Sequence, residues 1–329
     1  MTLIDLTRRP VSSERRDALP VAIIGAGPIG LAAAANLVER GIDFVVFEAG
    51  DSVADSVRQW GHTRLFSPWQ QLVDPASRRL LEATGWTHPA EKSLPTGTEL
   101  VEQYLTPLAA LPEIADRVRT GVEVVAVTRE GMDRTRTARR ESTPFLVRVR
   151  DGGELTDVPV RAVIDASGTY RSPNSLASSG LEPLGLPEVA DLVSHALPDV
   201  LGRERAHFAG RHTTVVGAGH SAANTLLALA QLAREEPGTR VTWLIRNASA
   251  VRVTTSPDDE LAARASLGAR VDAVVASGAI EVVDRFEIVR LERQAEGVRL
   301  VGARAGELVE HHTDLVVNAT GFRPNLDML

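Results

Sequence analysis

The stretch "PVAIIGAGPIGLAAAANLVERGIDFVVFE" (20–48) joins two short apolar runs through three spaced glycines and an alanine-rich segment, and its second run ends in an acid. Short apolar runs bounded by glycine fit buried strands, and the leucine- and alanine-rich residues between them are strong helix formers. The expectation is strand 21–25, helix 28–40 and strand 43–48, a βαβ unit. Within "GAGPIG", Gly25 permits the tight turn out of the strand, Gly27 lets a pyrophosphate approach the backbone, and Gly30 lets helix and strand pack closely. Pro28 and Ile29 open the helix, whose N-terminus offers unpaired N–H groups and a positive dipole end to phosphates. Glu48 closes the second strand where a ribose-binding carboxylate belongs, about twenty residues on.

The design recurs in "TTVVGAGHSAANTLLALAQLAREEPGTRVTWLIRN" (213–247). Strand 213–217, helix 220–234 and strand 240–245 are expected, with Gly217 and Gly219 in the first two glycine places. Ala222 takes the third, a substitution this fingerprint tolerates. His220 and Ser221 occupy the turn; His220 either touches a pyrophosphate or caps the helix. Arg246 stands where the first copy has Glu48, and no acid occupies 241–250. A carboxylate accepts from a free ribose 2′-hydroxyl but repels a 2′-phosphate, whereas an arginine pairs with that phosphate. The first turn is therefore expected to hold a ribose with free hydroxyls and the second a phosphorylated one. Two such turns in one chain suggest two nucleotides exchanging a hydride.

Composition narrows the alternatives. A chain of 329 residues, 43% hydrophobic and 24% charged, has the make-up of a globular protein of about two domains. Its net charge of −7 and lack of a concentrated basic face argue against nucleic acid as a partner. The absence of cysteine removes disulfide, thiolate-metal and CxxC redox chemistry. No histidine spacing suits a metal, and the pair His311–His312 reads as surface. No apolar stretch approaches the roughly 20 residues of a membrane span, and no signal peptide opens the chain, so a cytoplasmic protein without a membrane partner is expected.

Elsewhere a polar lead-in covers 1–19 and a helix is expected at 98–110. Strands are expected at 121–127, 144–150 and 159–167, the first two flanking a charged loop. The Gly-, Ser- and Pro-rich 168–187 reads as a linker, and 270–276, 280–290 and 297–303 as further helix and strand. The end, "DLVVNATGFRPNLDML", is a strand running into a glycine turn.

Taken in order, "GAGPIG…FE", "VIDASG" (163–168), "VVGAGHSA" and "LVVNATGFRP" (315–324) resemble flavoproteins with two dinucleotide-binding domains. Within them, "VRQWGHTRLFSPWQQ" (57–71) and "LPTGTELVEQYLTPLA" (94–109) are similar to bacterial flavin-containing-monooxygenase-like proteins. The resemblance implies an α/β fold of two Rossmann-like domains, an FAD domain with an inserted NADP domain: 1–172 for FAD, 173–318 for NAD(P)H, and 319–329 starting the return. It implies FAD at Gly25, Gly27, Gly30 and Glu48. Arg58, Gln59 and Trp60 would line the flavin side, with Trp60 equally readable as core, and Val124 or Val125 would present backbone to adenine. Gly168, Thr320 and Gly321, in the turns that link the domains, would also be cofactor-binding. NADPH, in preference to NADH, would sit at Gly217, Gly219, Ala222 and Arg246.

Two departures accompany the resemblance. Phe208, Gly210 and His212 lack the FxGxxxH spacing of such monooxygenases, and the chain stops a few residues after Gly321, where members continue. A C-terminally shortened form is expected, with a water-exposed flavin. The reading is an FAD-dependent, NADPH-using oxidoreductase acting on a small-molecule substrate with O2. Its chemistry would be borne by the flavin, with no catalytic side chain and no metal. The alternatives are a reductase or oxidase passing electrons to a quinone or protein acceptor, and a nucleotide-binding remnant.

Overall fold

The computed structural model describes residues 16–133, 135–248 and 262–329, the side chains of 262–265 apart. Most of the expected lead-in, residues 1–15, lies outside the described residues. The chain divides into two units: residues 1–61, 68–168 and 324–329, and residues 62–67 and 169–323.

In the first unit, β1 (Val21–Ile24), α1 (Pro28–Glu39) and β2 (Phe44–Phe47) form the βαβ unit expected. β1 lies at the heart of a parallel sheet because all four of its residues are apolar and buried. β3 (Val118–Arg119) extends the sheet beyond β2. An antiparallel meander of β4 (Val122–Arg129), β5 (Phe145–Asp151) and β6 (Glu154–Val160) follows, and β7 (Ala162–Asp165) then pairs parallel with β1, giving the order β3-β2-β1-β7. The single strand expected at 159–167 is thus two. β6 pairs antiparallel with β5 and β7 parallel with β1, so the chain changes partner at Arg161, whose N–H goes to the Pro20 carbonyl at 2.9 Å. Ala22 and Phe47 of the parallel sheet share a core with Val122, Val147, Val149 and Val160 of the meander.

The helix expected at 98–110 forms as Gly97–Leu100, a π turn at Val101–Leu105, and Thr106–Ala109. Thr96 and Glu99 make a capping box at its start. Pro107 has no N–H to give the carbonyl four residues back. That carbonyl, on Gln103, instead accepts from the Trp86 indole at 2.7 Å.

The second unit repeats the plan. β8 (Val193–His195) is followed by β9 (His212–Val216), α2 (His220–Glu235), β10 (Arg240–Leu244), α3 (Ala262–Ala276) and β11 (Glu281–Val283). An antiparallel sheet of β12 (Glu287–Arg293), β13 (Val298–Arg304) and β14 (Glu307–Thr313) comes next, then β15 (Leu315–Asn318). The parallel sheet runs β11-β10-β9-β15-β8. Leu226, Leu229 and Ala230 of α2 pack on Val215, Trp243 and Val317 of this sheet, while Val216, Leu244 and Val316 contribute to a second core with Ile288, Leu291 and Leu300 of the antiparallel sheet. Residues 62–67, read from sequence with the first domain, cluster here because Phe66 packs against the first of these cores.

Candidate functional site

The first glycine turn takes the form its spacing demands. Gly25 sits at φ +96°, where a side chain would be strained, and a Cβ there would lie 2.6 Å from the Ala166 carbonyl oxygen. A Cβ on Gly30 would collide with the Gly25 carbonyl, so the third glycine serves close packing of helix on turn. Gly27 is extended (φ −80°, ψ −172°), and a Cβ there would meet nothing within 4 Å. That open space lies at the N-cap of α1, whose first turn carries no acid, and it suits a phosphate. Pro28 opens the helix, and Ile29 beside it is 70% exposed.

Glu48 is buried at the end of β2's run. One carboxylate oxygen accepts from the Ala26 amide at 2.8 Å and the other from the Gly50 amide at 2.7 Å. It therefore braces the turn. Trp60 is half-buried with its six-membered ring against Gly97. Arg58 is exposed and donates to the Val53 carbonyl and the Thr106 hydroxyl, each at 3.2 Å, and Gln59 donates to Asp55 at 3.0 Å. A β-bulge between Val124 and Ala126 puts Val125 out of the ladder with β5, while the Val124 side chain packs on the core. Gly168, at φ +71°, is the last residue of its stretch of the first unit.

The second turn copies the first. Gly217 lies at φ +132°, where a Cβ would collide with the Ala319 carbonyl. Gly219 is extended (φ −97°, ψ −174°) with nothing within 4 Å of a Cβ, and Ala222 is fully buried. The helix cap expected of His220 does not form: Gly219 is the N-cap, no side chain caps α2, and His220 is already helical, its ring 5.5 Å from that of Phe66. Ser221 is half-buried in the same turn. The buried Trp243 donates its indole N–H to the Gly217 carbonyl at 2.6 Å.

Beside this turn lies a cavity of about 390 Å³, lined by Gly217, Ala218, Gly219, Arg246, Asn247 and Thr320 among others. Part of its wall comes from Asn174 to Ser178 and Gly180, the segment read as a linker. Arg323 joins them from beyond the final glycine turn. These residues escaped the sequence reading because only tertiary folding brings them to the turn; the one local hint was an arginine two places past Gly321. Gly321, at φ +99°, and Thr320 tie back to Asn174: the Gly321 carbonyl accepts from the Asn174 amide at 2.9 Å, and the Thr320 carbonyl from the Asn174 side chain at 3.1 Å.

A buried polar cluster sits at the start of β9. Nε2 of His212 is hydrogen-bonded to the Thr242 hydroxyl and Nε2 of His311 to that of Thr214, each at 2.8 Å, and the two rings meet edge to face at 5.6 Å. Burial pushes both imidazoles below the ordinary histidine range; Arg240 adds to this for His212, and His212 itself for His311. His311 is thus not the surface residue expected, because β14 turns it toward β9, while His312 is exposed. No metal-competent group of histidine, aspartate and glutamate occurs among the described residues. Among those residues, too, no helix is long and apolar enough to cross a membrane.

Residues 22–329 match the family described as "Pyridine nucleotide-disulphide oxidoreductase". The chain belongs to this family. The cofactors of this family are FAD and NADPH. Among curated relatives it is 27% identical over 244 residues to the indole-3-pyruvate monooxygenase YUCCA1 of Oryza sativa subsp. japonica, covering 74% of this chain and 52% of that one. The chain spans about half the length of the curated relatives it matches. Among solved structures, the bacillithiol disulfide reductase Bdr (YpdA) from Bacillus cereus superposes with a TM-score of 0.69 at 21% identity, over 94% of this chain and 80% of that one. The ornithine N-hydroxylase KtzI of Kutzneria sp. 744 gives 0.64 at 19% identity, over 94% and 83%. These two likenesses establish the shared fold of two dinucleotide-binding domains. The 329 residues contain no cysteine, so none of them can form a disulphide.

Proposed function

We propose that this chain is an NADPH-using, FAD-dependent, monooxygenase-like oxidoreductase acting on a small-molecule substrate. One observation carries the reading: two glycine turns of similar geometry, one ending in a buried acid and the other beside a cavity whose described lining holds arginine and no acid. Gly25, Gly27, Gly30 and Glu48 would hold the ADP half of FAD, with the open space at Gly27 taking the pyrophosphate and the α1 N-terminus facing its charge. The backbone of Val125, set out of register with β5 by the bulge, would meet an adenine edge, and Trp60, Arg58 and Gln59 would line the flavin side. Gly217, Gly219 and Ala222 would hold the pyrophosphate of NADPH, and Arg246 its 2′-phosphate.

When bound, such a cofactor pair supplies hydride transfer from nicotinamide to flavin and reaction of the reduced flavin with O2. The chain's own contribution is binding and orientation, and no side chain need hold a proton in the reading. The monooxygenase relatives favour oxygen as the acceptor. The test is stoichiometry. With substrate present, one NADPH and one O2 should be consumed per oxygenated product. Anaerobic turnover on a quinone, with no product oxygenation in air, would overturn this in favour of a reductase.

A further inference from the structure

The cavity of the second unit carries more positive charge than a 2′-phosphate needs. Among the described residues its lining includes two arginines, Arg246 and Arg323, and no acid. Elsewhere in the chain arginines commonly face carboxylates, as in Arg148–Asp157 and Arg205–Glu235. Among the described residues neither cavity arginine has a carboxylate partner. We propose that Arg323 is a second phosphate-binding residue of this cavity, taking the pyrophosphate while Arg246 takes the 2′-phosphate. The proposal rests on the NADPH reading above and adds to it a residue and a division of labour.

Three observations support it. Arg323 is placed rather than loose: its Nε donates to Oδ1 of Asn174 at 2.9 Å and its backbone N–H to the Ser172 carbonyl at 3.0 Å. Asn174 is fixed in turn. Its side-chain amide donates to the Thr320 carbonyl, and its own carbonyl accepts from Asn318 at 2.9 Å and from the Thr320 hydroxyl at 3.2 Å. Second, the partner is an amide and not a carboxylate. A carboxylate would orient Nε equally well but neutralise the guanidinium, whereas the amide leaves the full charge and the terminal N–H groups for an anion.

Third, strand order separates the two arginines. β9, which feeds the glycine turn, lies between β10 and β15. Arg246 follows β10 and Arg323 follows β15, so they flank the turn from opposite sides. A dinucleotide laid across the carboxyl ends of these strands has its 2′-phosphate on the adenosine side and its pyrophosphate at the turn. The two arginines therefore meet different phosphates. A residue that reads the 2′-phosphate discriminates NADPH from NADH. One that reads the pyrophosphate strengthens both.

The experiment is calorimetric titration of the purified protein, carrying its flavin, with NADPH and separately with NADH. Arg323→Ala should weaken both nucleotides by about tenfold or more, leaving their ratio unchanged. Asn174→Asp, which keeps the arginine but neutralises it, should weaken both in the same direction. Thermal melting of each variant establishes that it is folded. Unchanged affinity for both nucleotides in folded Arg323→Ala overturns the proposal, and so does a loss confined to NADPH, which would make Arg323 a 2′-phosphate ligand. Wild-type protein that binds neither nucleotide overturns the NADPH reading itself, a result distinct from either.

Discussion

The two glycine turns share a backbone and differ in what steadies it. Both begin with a glycine at positive φ pressed against a crossing carbonyl, Ala166 in one and Ala319 in the other, and both continue with an extended glycine facing open space. In the first, the brace is Glu48 at the strand end, accepting from Ala26 and Gly50. In the second, the brace is an indole inside the strand, Trp243 donating to Gly217. The acid of the first copy is committed to the turn by its hydrogen bonds, so that position is held to an acceptor. With the brace at Trp243, no carboxylate steadies the second turn among the described residues, and its strand is followed by the cation Arg246. One backbone is thus steadied in two ways, from the strand end in the first copy and from within the strand in the second.

The comparison breaks most sharply within the first turn. Gly30→Val should cost about 3 kcal/mol of stability, because its side chain has nowhere to go but into the Gly25 carbonyl. Gly27→Val should melt near the wild-type temperature yet lose its flavin, because its methyls fill space that only a ligand needs. Calorimetric melting and flavin content, measured on both, separate a packing glycine from a binding one. Equal flavin in Gly27→Val and wild type would remove the pyrophosphate from that turn.

Next in size is the charge difference. Arg246→Ala should weaken NADPH about ten- to a hundredfold with little change for NADH, the loss of one charge-assisted contact. Equal losses for both nucleotides, or a wild type that prefers NADH, would contradict the 2′-phosphate assignment. Smaller again is the brace. Trp243→Phe keeps the ring but deprives the Gly217 carbonyl of its donor, for about 1–2 kcal/mol in chemical denaturation.

The smallest effect is a pH dependence confined to the second unit. Burial holds His212 and His311 below the value of about 6.5 that they regain on unfolding. For a group depressed in the fold, the unfolded chain binds more protons as pH falls, so stability is full above about pH 6.5 and declines below it. Around the pair, Arg240 lowers His212 and His312 lowers His311, while Glu281 opposes for both and Asp314 for His212. The melting temperature should fall between about pH 6.5 and 5, and His311→Gln should flatten that slope. Asp157, hydrogen-bonded to Arg148, is held below its ordinary carboxylate range and titrates lower still.

Both βαβ units were legible because their chemistry is local: three small residues at fixed spacing, a strand before, a helix after, and one strand-end residue of chosen charge. The change of partner at Arg161 was not, because an apolar run reads alike in either sheet and only pairing partners divide it. Asn174 and Arg323 were hidden for a related reason. A Gly- and Ser-rich segment looks like a linker until the hydrogen bonds of Asn318 and Thr320 fold it over the cavity. Trp243 is buried in the core, and that its indole N–H also holds the turn depends on the register of β9 against β10.

The central claim is that one chain holds a flavin at its first turn and NADPH at its second. The visible absorption spectrum of the purified protein, supplied with FAD and then titrated with NADPH under anaerobic conditions, tests it most directly. The account predicts a yellow protein whose flavin bands bleach with NADPH, at lower concentrations than NADH requires. A protein that stays colourless with added FAD, or a bound flavin that NADPH leaves oxidised, would contradict it.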